Sequence, residues 1–236
     1  MTISNDAWQK ETAMELEKLS LADRAAQQLR GMIIGASLPP GLRLTEQDLS
    51  DKMQVARGTI RAALSAMTAE NLVVRRPYSG WAVQTVDEAI LRENYQVRGA
   101  LEELSVRLLA ERLDDDERMK LVASYERLAA AEAAGGAEER LHSDLGFHAD
   151  IVRASGNRLL LHRYNSICGL TEWLYRWSEK NWPRRINLLE WHKPIFEAIL
   201  ARDGDAAARA MRIHTQRSLH DDMQDLRNNL SGQHEQ

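Results

Sequence analysis

Two groups of residues in this 236-residue chain have types and spacing suited to chemistry. The first lies in LHSDLGFHADIV, where Asp144 and His148 stand four positions apart in a helical pattern. Residues four apart on a helix stack one turn above each other on the same face. The pair is therefore either a polar couple on a wet surface or two ligands aimed at one metal ion. Two more histidines bear on that choice: His192 lies 11 residues before Asp203, and His214 lies 11 after it. The ARDGD turn between them reverses the chain, so both imidazoles reach equal height on antiparallel helices, about three turns from the reversal. Three imidazole nitrogens and one carboxylate oxygen suit Zn2+, Ni2+ or Mn2+ and leave positions for water or a ligand. His142, His162, His220 and His234 read as ordinary surface or core residues. Spacing alone leaves both readings of Asp144 and His148 open.

The second group is RGTIRAAL. Arg57, Thr59 and Arg61 fall outside the apolar stripe of Ile60, Leu64 and Met67, so they face outward. Arginine can grip the O6 and N7 atoms of guanine with two hydrogen bonds, and threonine can reach a phosphate or a thymine methyl. Gly58 removes a side chain at the helix start, where backbone amides can approach a phosphate. Tyr78, Ser79 and Gly80 form a tip that can lie in a minor groove.

The elements that carry these groups follow from periodicity and punctuation. Residues 20–34 repeat apolar positions at helical spacing and stop at Gly35, before Pro39-Pro40-Gly41. Leu42-Arg43-Leu44 is long enough only for a sheet edge. Thr45 is a good N-cap for a helix reaching about Met53, with Glu46 and Asp48 in the turn where the helix dipole favours acids. A further helix spans about 57–70. Leu72–Arg76 and Trp81–Gln84 then form a hairpin around Pro77-Tyr78-Ser79-Gly80. Short helices followed by a hairpin make a winged helix-turn-helix. From Val86 onward the β signals vanish, and six helices are expected at about 86–113, 115–134, 137–154, 157–179, 184–202 and 205–229. The fold class is mainly α: an N-terminal arm (1–19), a winged helix-turn-helix (20–85), an all-α six-helix bundle (86–230) and a frayed tail (231–236).

Composition narrows the class of function. Hydrophobic residues at 44% and charged residues at 28% are ordinary for a soluble protein. No run approaches the roughly 18 apolar residues that span a bilayer, so no membrane partner is expected. The polar, acidic start lacks the pattern of a secretory signal. The single cysteine, Cys168, has no partner in the chain for a disulfide, and a cytoplasmic location fits. The net charge of −4 hides an asymmetry, because residues 1–84 carry 10 Lys+Arg against 9 Asp+Glu. Within 54–84, Arg57, Arg61, Arg75 and Arg76 face only Glu70. A basic segment in an acidic chain implies a localised anionic partner.

The run LRGMIIGASLPPGLRLTEQDLSDKMQVARGTIRAALSAMTAENLVVRRPYSGWAV resembles the GntR family of bacterial transcription regulators. The matching pieces are a helix ending I-x-x-G, then L-x-P-G-x-x-L-x-E-x-x-L, V-x-R-x-x-[VI]-R-x-A-L and a G-x-V wing. The resemblance implies that Arg57 and Arg61 are the main DNA-contacting arginines and Gly80 the wing glycine. Two positions depart from the pattern: Ala56 stands where serine or threonine is usual, and Gln47 where some members place a DNA-contacting arginine. Residues 93–215 resemble the FCD effector domain of the FadR-type branch, through VRGALEELSVRLLAERL, SDLGFHADIVRASGN and WHKPIFEAILARDGDAAARAMRIH. That resemblance implies one divalent transition metal ion (Zn, Ni or Mn) per chain, held by Asp144, His148, His192 and His214. A tryptophan, Trp191, replaces the acid usual before the histidine of its helix.

The resemblance further implies a small organic acid as effector, with Arg98 sharing its carboxylate; Arg98 can instead pair with Glu102 one turn on. Trp173 and Trp177 share a helix face and either line an aromatic or bulky pocket, pack helices or form a dimer face. The expected protein is a metabolite-responsive regulator, acting as a repressor and binding a pseudo-palindromic double-stranded DNA operator as a homodimer. A metal-dependent hydrolase fused to a DNA-binding unit is the rival reading, although no H-E-x-x-H motif is present. A DNA-binding architectural protein with a purely structural metal is a third.

Overall fold

The computed structural model describes residues 19–76, 80–181 and 187–232, with side chains described except at 179–181 and 229–232. Residues 1–18 of the expected N-terminal arm, Pro77, Tyr78, Ser79, Trp182, Pro183 and residues 233–236 of the expected tail lie outside the described residues. The chain divides into two compact units after Gln84.

In the first unit, α1 (Leu21–Ile34) begins at a capping box in which Ser20 and Asp23 satisfy each other's backbone amides. It buries Ala25, Ala26, Leu29 and Ile33. Helix α2 (Glu46–Met53) starts where the Thr45 hydroxyl accepts from Asp48 N at 3.1 Å, and ends at Gln54 in the left-handed region, φ 53°. That reversal admits α3 (Arg57–Ala69), whose buried stripe is Ile60, Ala63, Leu64 and Met67. Strand β2 (Val73–Arg76) pairs antiparallel with β3 (Gly80–Val83), Val73 opposite Val83 and Arg76 opposite Gly80. The edge β1 (Arg43–Leu44) joins the far side of β3, giving the order β1-β3-β2.

Ala56, at the N-cap of α3, offers no side-chain hydrogen bond. Ala56→Ser is therefore expected to stabilise this unit by about 1 kcal/mol, by giving an orphan amide a partner. Urea unfolding measures it, and an unchanged midpoint counts against the cap.

The second unit contains α4 (Glu88–Arg112), α5 (Asp115–Ala134), α6 (Ala137–Ala154), α7 (Arg158–Asn181), α8 (Leu188–Leu200) and α9 (Gly204–Gly232). Each break has a local cause. Asp114 caps α5, whose first turn is acidic, and Gly135 closes it at φ 72°. Helix α8 begins later than the expected residue 184, because the Asn187 side chain accepts from Glu190 N at 3.1 Å and sets the N-cap there. Helix α9 continues to Gly232, past the expected 229. Val106, Leu109, Leu128, Phe147, Ile151, Ile195, Ile199 and Met211 form the main core. Helix α4 is central, packing against α6, α7, α8 and α9. Its approach to α9 is close at Gly99, where an added Cβ would stand 3.2 Å from Thr215 Oγ1. A helix with so many neighbours buries polar residues too: Asn94, Arg98, Glu102 and Ser105 all lie inside. No helix among the described residues is long and apolar enough to cross a membrane.

Candidate functional site

In the first unit, Arg57, Gly58 and Arg61 are exposed along one side of α3, with Thr59 half-buried beside them. A Cβ added to Gly58 would meet nothing within 4 Å, so packing within the chain does not require a glycine there. Arg61 is held in place: its Nε and Nη2 donate to Glu46 at 2.9 and 2.7 Å. The Trp81 indole donates to the same carboxylate at 3.4 Å, so Glu46 joins α2, α3 and β3. The hydrogen bonds from Arg61 hold the Glu46 carboxyl down at about 2. Gln47 donates to the Asp51 carboxylate at 2.7 and 2.8 Å, one turn along its own helix. Gly80 opens β3 at φ +80°, a conformation that favours glycine.

In the second unit, α6 contributes Asp144 and His148, α8 contributes His192 and α9 contributes His214, all four buried. The ring nitrogens of His148, His192 and His214 lie within 4.8 Å of one another. The Nε2 atoms of His148 and His192 are 3.2 Å apart, and Asp144 Oδ1 stands 3.1 Å from His192 Nε2. The compact set is thus the three imidazoles, with Asp144 joined to it through His192. His192 Nδ1 donates to the Leu188 carbonyl at 2.7 Å, so its Nε2 is the ring nitrogen that faces His148 and Asp144.

Burial favours the neutral forms of His148 and His214; nearby Arg98 adds to this at His148, and the other two imidazoles add to it at His214. For Asp144, burial acts the other way, but the hydrogen bond and charge of His192 outweigh it and hold the carboxyl well below its usual range. His214 Nδ1 is buried with no hydrogen-bond partner. Three imidazoles, two of them pushed toward the neutral form by burial, an ionised carboxylate and an orphaned nitrogen converge on one point. That donor set fits a divalent transition ion.

A neighbour that sequence reasoning treated only as a possible partner of Arg98 turns out to be central. Glu102, fully buried on α4, accepts from Arg98 Nε at 2.8 Å and from the Tyr164 hydroxyl at 3.0 Å. Its other oxygen faces His148 Nδ1 at 3.1 Å. Burial raises its pKa, but Arg98 and His148 outweigh that and leave it at about 2. Arg98 thus makes the helical pair and also reaches the site: its Nη2 is buried without a partner, and the residue lines a cavity shared with Asp144, His192 and His214.

Trp173 and Trp177 do not line this cavity, contrary to the pocket expectation; Tyr175 does. Two positions along a helix is about 200° around it, so the face that presents Tyr175 turns both tryptophans away. Trp173 is buried in packing. Tyr95 and Trp191 complete the aromatic part of the wall. The substitution of tryptophan before His192 was the signal for Trp191, and its consequence for the cavity needed the fold.

A winged helix-turn-helix joined to a helical unit with a buried polar site defines a ligand-linked DNA-binding protein. Residues 21–83 match the model of the gntR family of bacterial regulatory proteins, and residues 93–217 match that of the FCD domain. The regulator LutR of Bacillus subtilis is 30% identical over 206 residues, covering 78% of this chain and 92% of its own. The transcriptional repressor GlaR of Escherichia coli is 29% identical over 198 residues, covering 79% and 88%. The structure of E. coli McbR/YncC matches with a TM-score of 0.68 at 20% identity, over 89% of this chain and 100% of the other. The chain belongs to the GntR family of bacterial transcription regulators, in the group that carries an FCD domain. It is a regulator and not an enzyme; the hydrolase reading has no support among these relatives.

Proposed function

We propose that the protein is a metabolite-responsive repressor, acting as a homodimer on a pseudo-palindromic operator and released or retained by a small carboxylic acid. The observation that carries the reading is the meeting, around one small cavity, of Asp144 and two of the three clustered histidines, His192 and His214, with Arg98, whose Nη2 is unpartnered. His148, His192, His214 and Asp144 would hold one Zn2+, Ni2+ or Mn2+ ion, which when bound supplies positive charge for a carboxylate oxygen. Arg98 donates to the same carboxylate by a charge-assisted bond, while Glu102 and Tyr164 keep the guanidinium in place. The name of GlaR as a repressor supports the direction of control.

On the DNA side, Arg57 and Arg61 read base edges, Gly58 and Thr59 meet the backbone, and Gln47 and the wing residues Tyr78, Ser79 and Gly80 add further DNA contacts. The outward placement of Arg57 and Arg61 supports this arrangement. Two-fold symmetric operators match a dimer presenting paired recognition helices.

The test selects duplexes from a randomised pool and measures their affinity for the metal-loaded chain with and without a panel of carboxylic acids. One acid should shift operator affinity without being consumed. Arg57→Ala and Arg61→Ala should each weaken the selected site by about 1–3 kcal/mol and leave the fold intact. Unaltered affinity in both variants would overturn the DNA assignment, and indifference to every acid would overturn the sensor.

A further inference from the structure

The cavity beside the histidines is small, about 20 Å3. That is room for about one water molecule, whereas pockets for organic ligands run to roughly 300–1,000 Å3. A carboxylic acid enters only if part of the wall moves. Immediately outside lies a groove of about 370 Å3, lined by Glu190, Pro194, Ile213 and Arg217. Trp191 and His214 line both the groove and the cavity, so these two side chains are the partition.

Of the two, Trp191 is the one free to swing. His214 is buried among the other imidazoles. Trp191 is half-exposed and meets His214 edge-on, with ring centroids 5.6 Å apart. The Arg217 guanidinium lies over its ring, 5.7 Å from the centroid. Its indole N–H has no hydrogen-bond partner among the described residues, so no directional bond opposes rotation into the groove.

The inner lining indicates what would take the indole's place. Apart from charged and polar groups, the cavity presents Tyr95, Tyr175 and Trp191, and Leu188 is the single aliphatic side chain among the described residues that line it. Ring faces and edges favour another ring, in offset or edge-to-face contact. An indole is larger than a phenyl group, so its departure clears space for one.

We propose that Trp191 is a hinged wall through which a flat aromatic carboxylate enters, its carboxylate meeting Arg98 and its ring lying against Tyr95 and Tyr175. This rests on the carboxylate-sensor reading above and gives it a ligand class and a route.

The test uses the full-length chain loaded with Zn2+, with benzoate, cyclohexanecarboxylate and hexanoate as probes. Calorimetry gives affinities, and stopped-flow tryptophan fluorescence gives association rates, with the tryptophans that remain in each variant as reporters. Benzoate should bind on the order of tenfold more tightly than the two aliphatic acids, the scale of one good ring contact. Its association rate should level off at high concentration, because opening precedes binding. Trp191→Ala should abolish the plateau and keep the preference for benzoate, because Tyr95 and Tyr175 remain. Trp191→Phe should keep the preference and raise the plateau. Thermal unfolding confirms that both variants fold, and Trp191→Phe carries the test if the alanine variant does not. Equal affinities for the three acids, or wild-type association rates in the variants, overturn the hinged wall and leave a carboxylate sensor standing. No binding of any of the three overturns both.

Discussion

Glu102→Ala is expected to destabilise the helical unit by about 3–5 kcal/mol, the cost of removing one partner from a buried ion pair. The residue is fully buried, and three neighbours lean on it: Arg98, Tyr164 and His148. Without it the Arg98 guanidinium stays inside with its Nε donor unpaired, and the Tyr164 hydroxyl loses its acceptor. The double variant Arg98→Met/Glu102→Leu should recover part of the loss, because apolar residues of similar size replace a buried pair at less cost than a lone charge. Glu103→Ala is the contrast. Its ion pair with Arg212 is partly exposed, and such pairs contribute about 1 kcal/mol or less. Urea unfolding of the variants settles the matter. A Glu102→Ala loss no larger than that of Glu103→Ala would show that the buried network does not support the unit.

Protein prepared without chelator should carry about one divalent transition ion per chain, and removing it should lower stability by about 3–4 kcal/mol at free metal 100–1,000 times its dissociation constant. His192→Ala or His214→Ala should sharply reduce the metal content. His162→Ala and His220→Ala should not, because both are exposed and stand apart from the cluster. Asp144→Ala should weaken binding less than His192→Ala, since the three nitrogens form the compact set and Asp144 joins through His192. Metal loss should impair the response to acids more than basal operator binding, as the ligands lie in one unit and Arg57 and Arg61 in the other. Elemental analysis and thermal unfolding read these outcomes. Equal metal in wild type and all the variants, or none in any, would end the metal assignment.

What the sequence determined by itself is mostly local. The turn at Gly135, the caps at Thr45 and Asp114 and the hairpin around Gly80 each have a cause within a few residues, so helices and wing were legible before the fold was known. The edge at Arg43–Leu44 was readable as too short for anything else. Part of the candidate site was legible for the same reason. Asp144 and His148 share a face because a helix repeats every 3.6 residues, and His192 and His214 meet because equal counts from one reversal give equal heights. Their ring centroids lie 4.6 Å apart.

Tertiary structure decided what depends on rotation of a helix about its axis. Arg98 and Glu102 form the same pair whether α4 turns that face to water or to the interior; only the helices packed around α4 put both inside, beside His148. Trp173 and Trp177 were plausible pocket walls by composition, yet the rotation of α7 gave that role to Tyr175. Trp191 was visible only as a substitution, because its place between a cavity and a groove depends on where α8 and α9 meet. Periodicity specifies which residues share a face, and packing among many helices specifies where that face points.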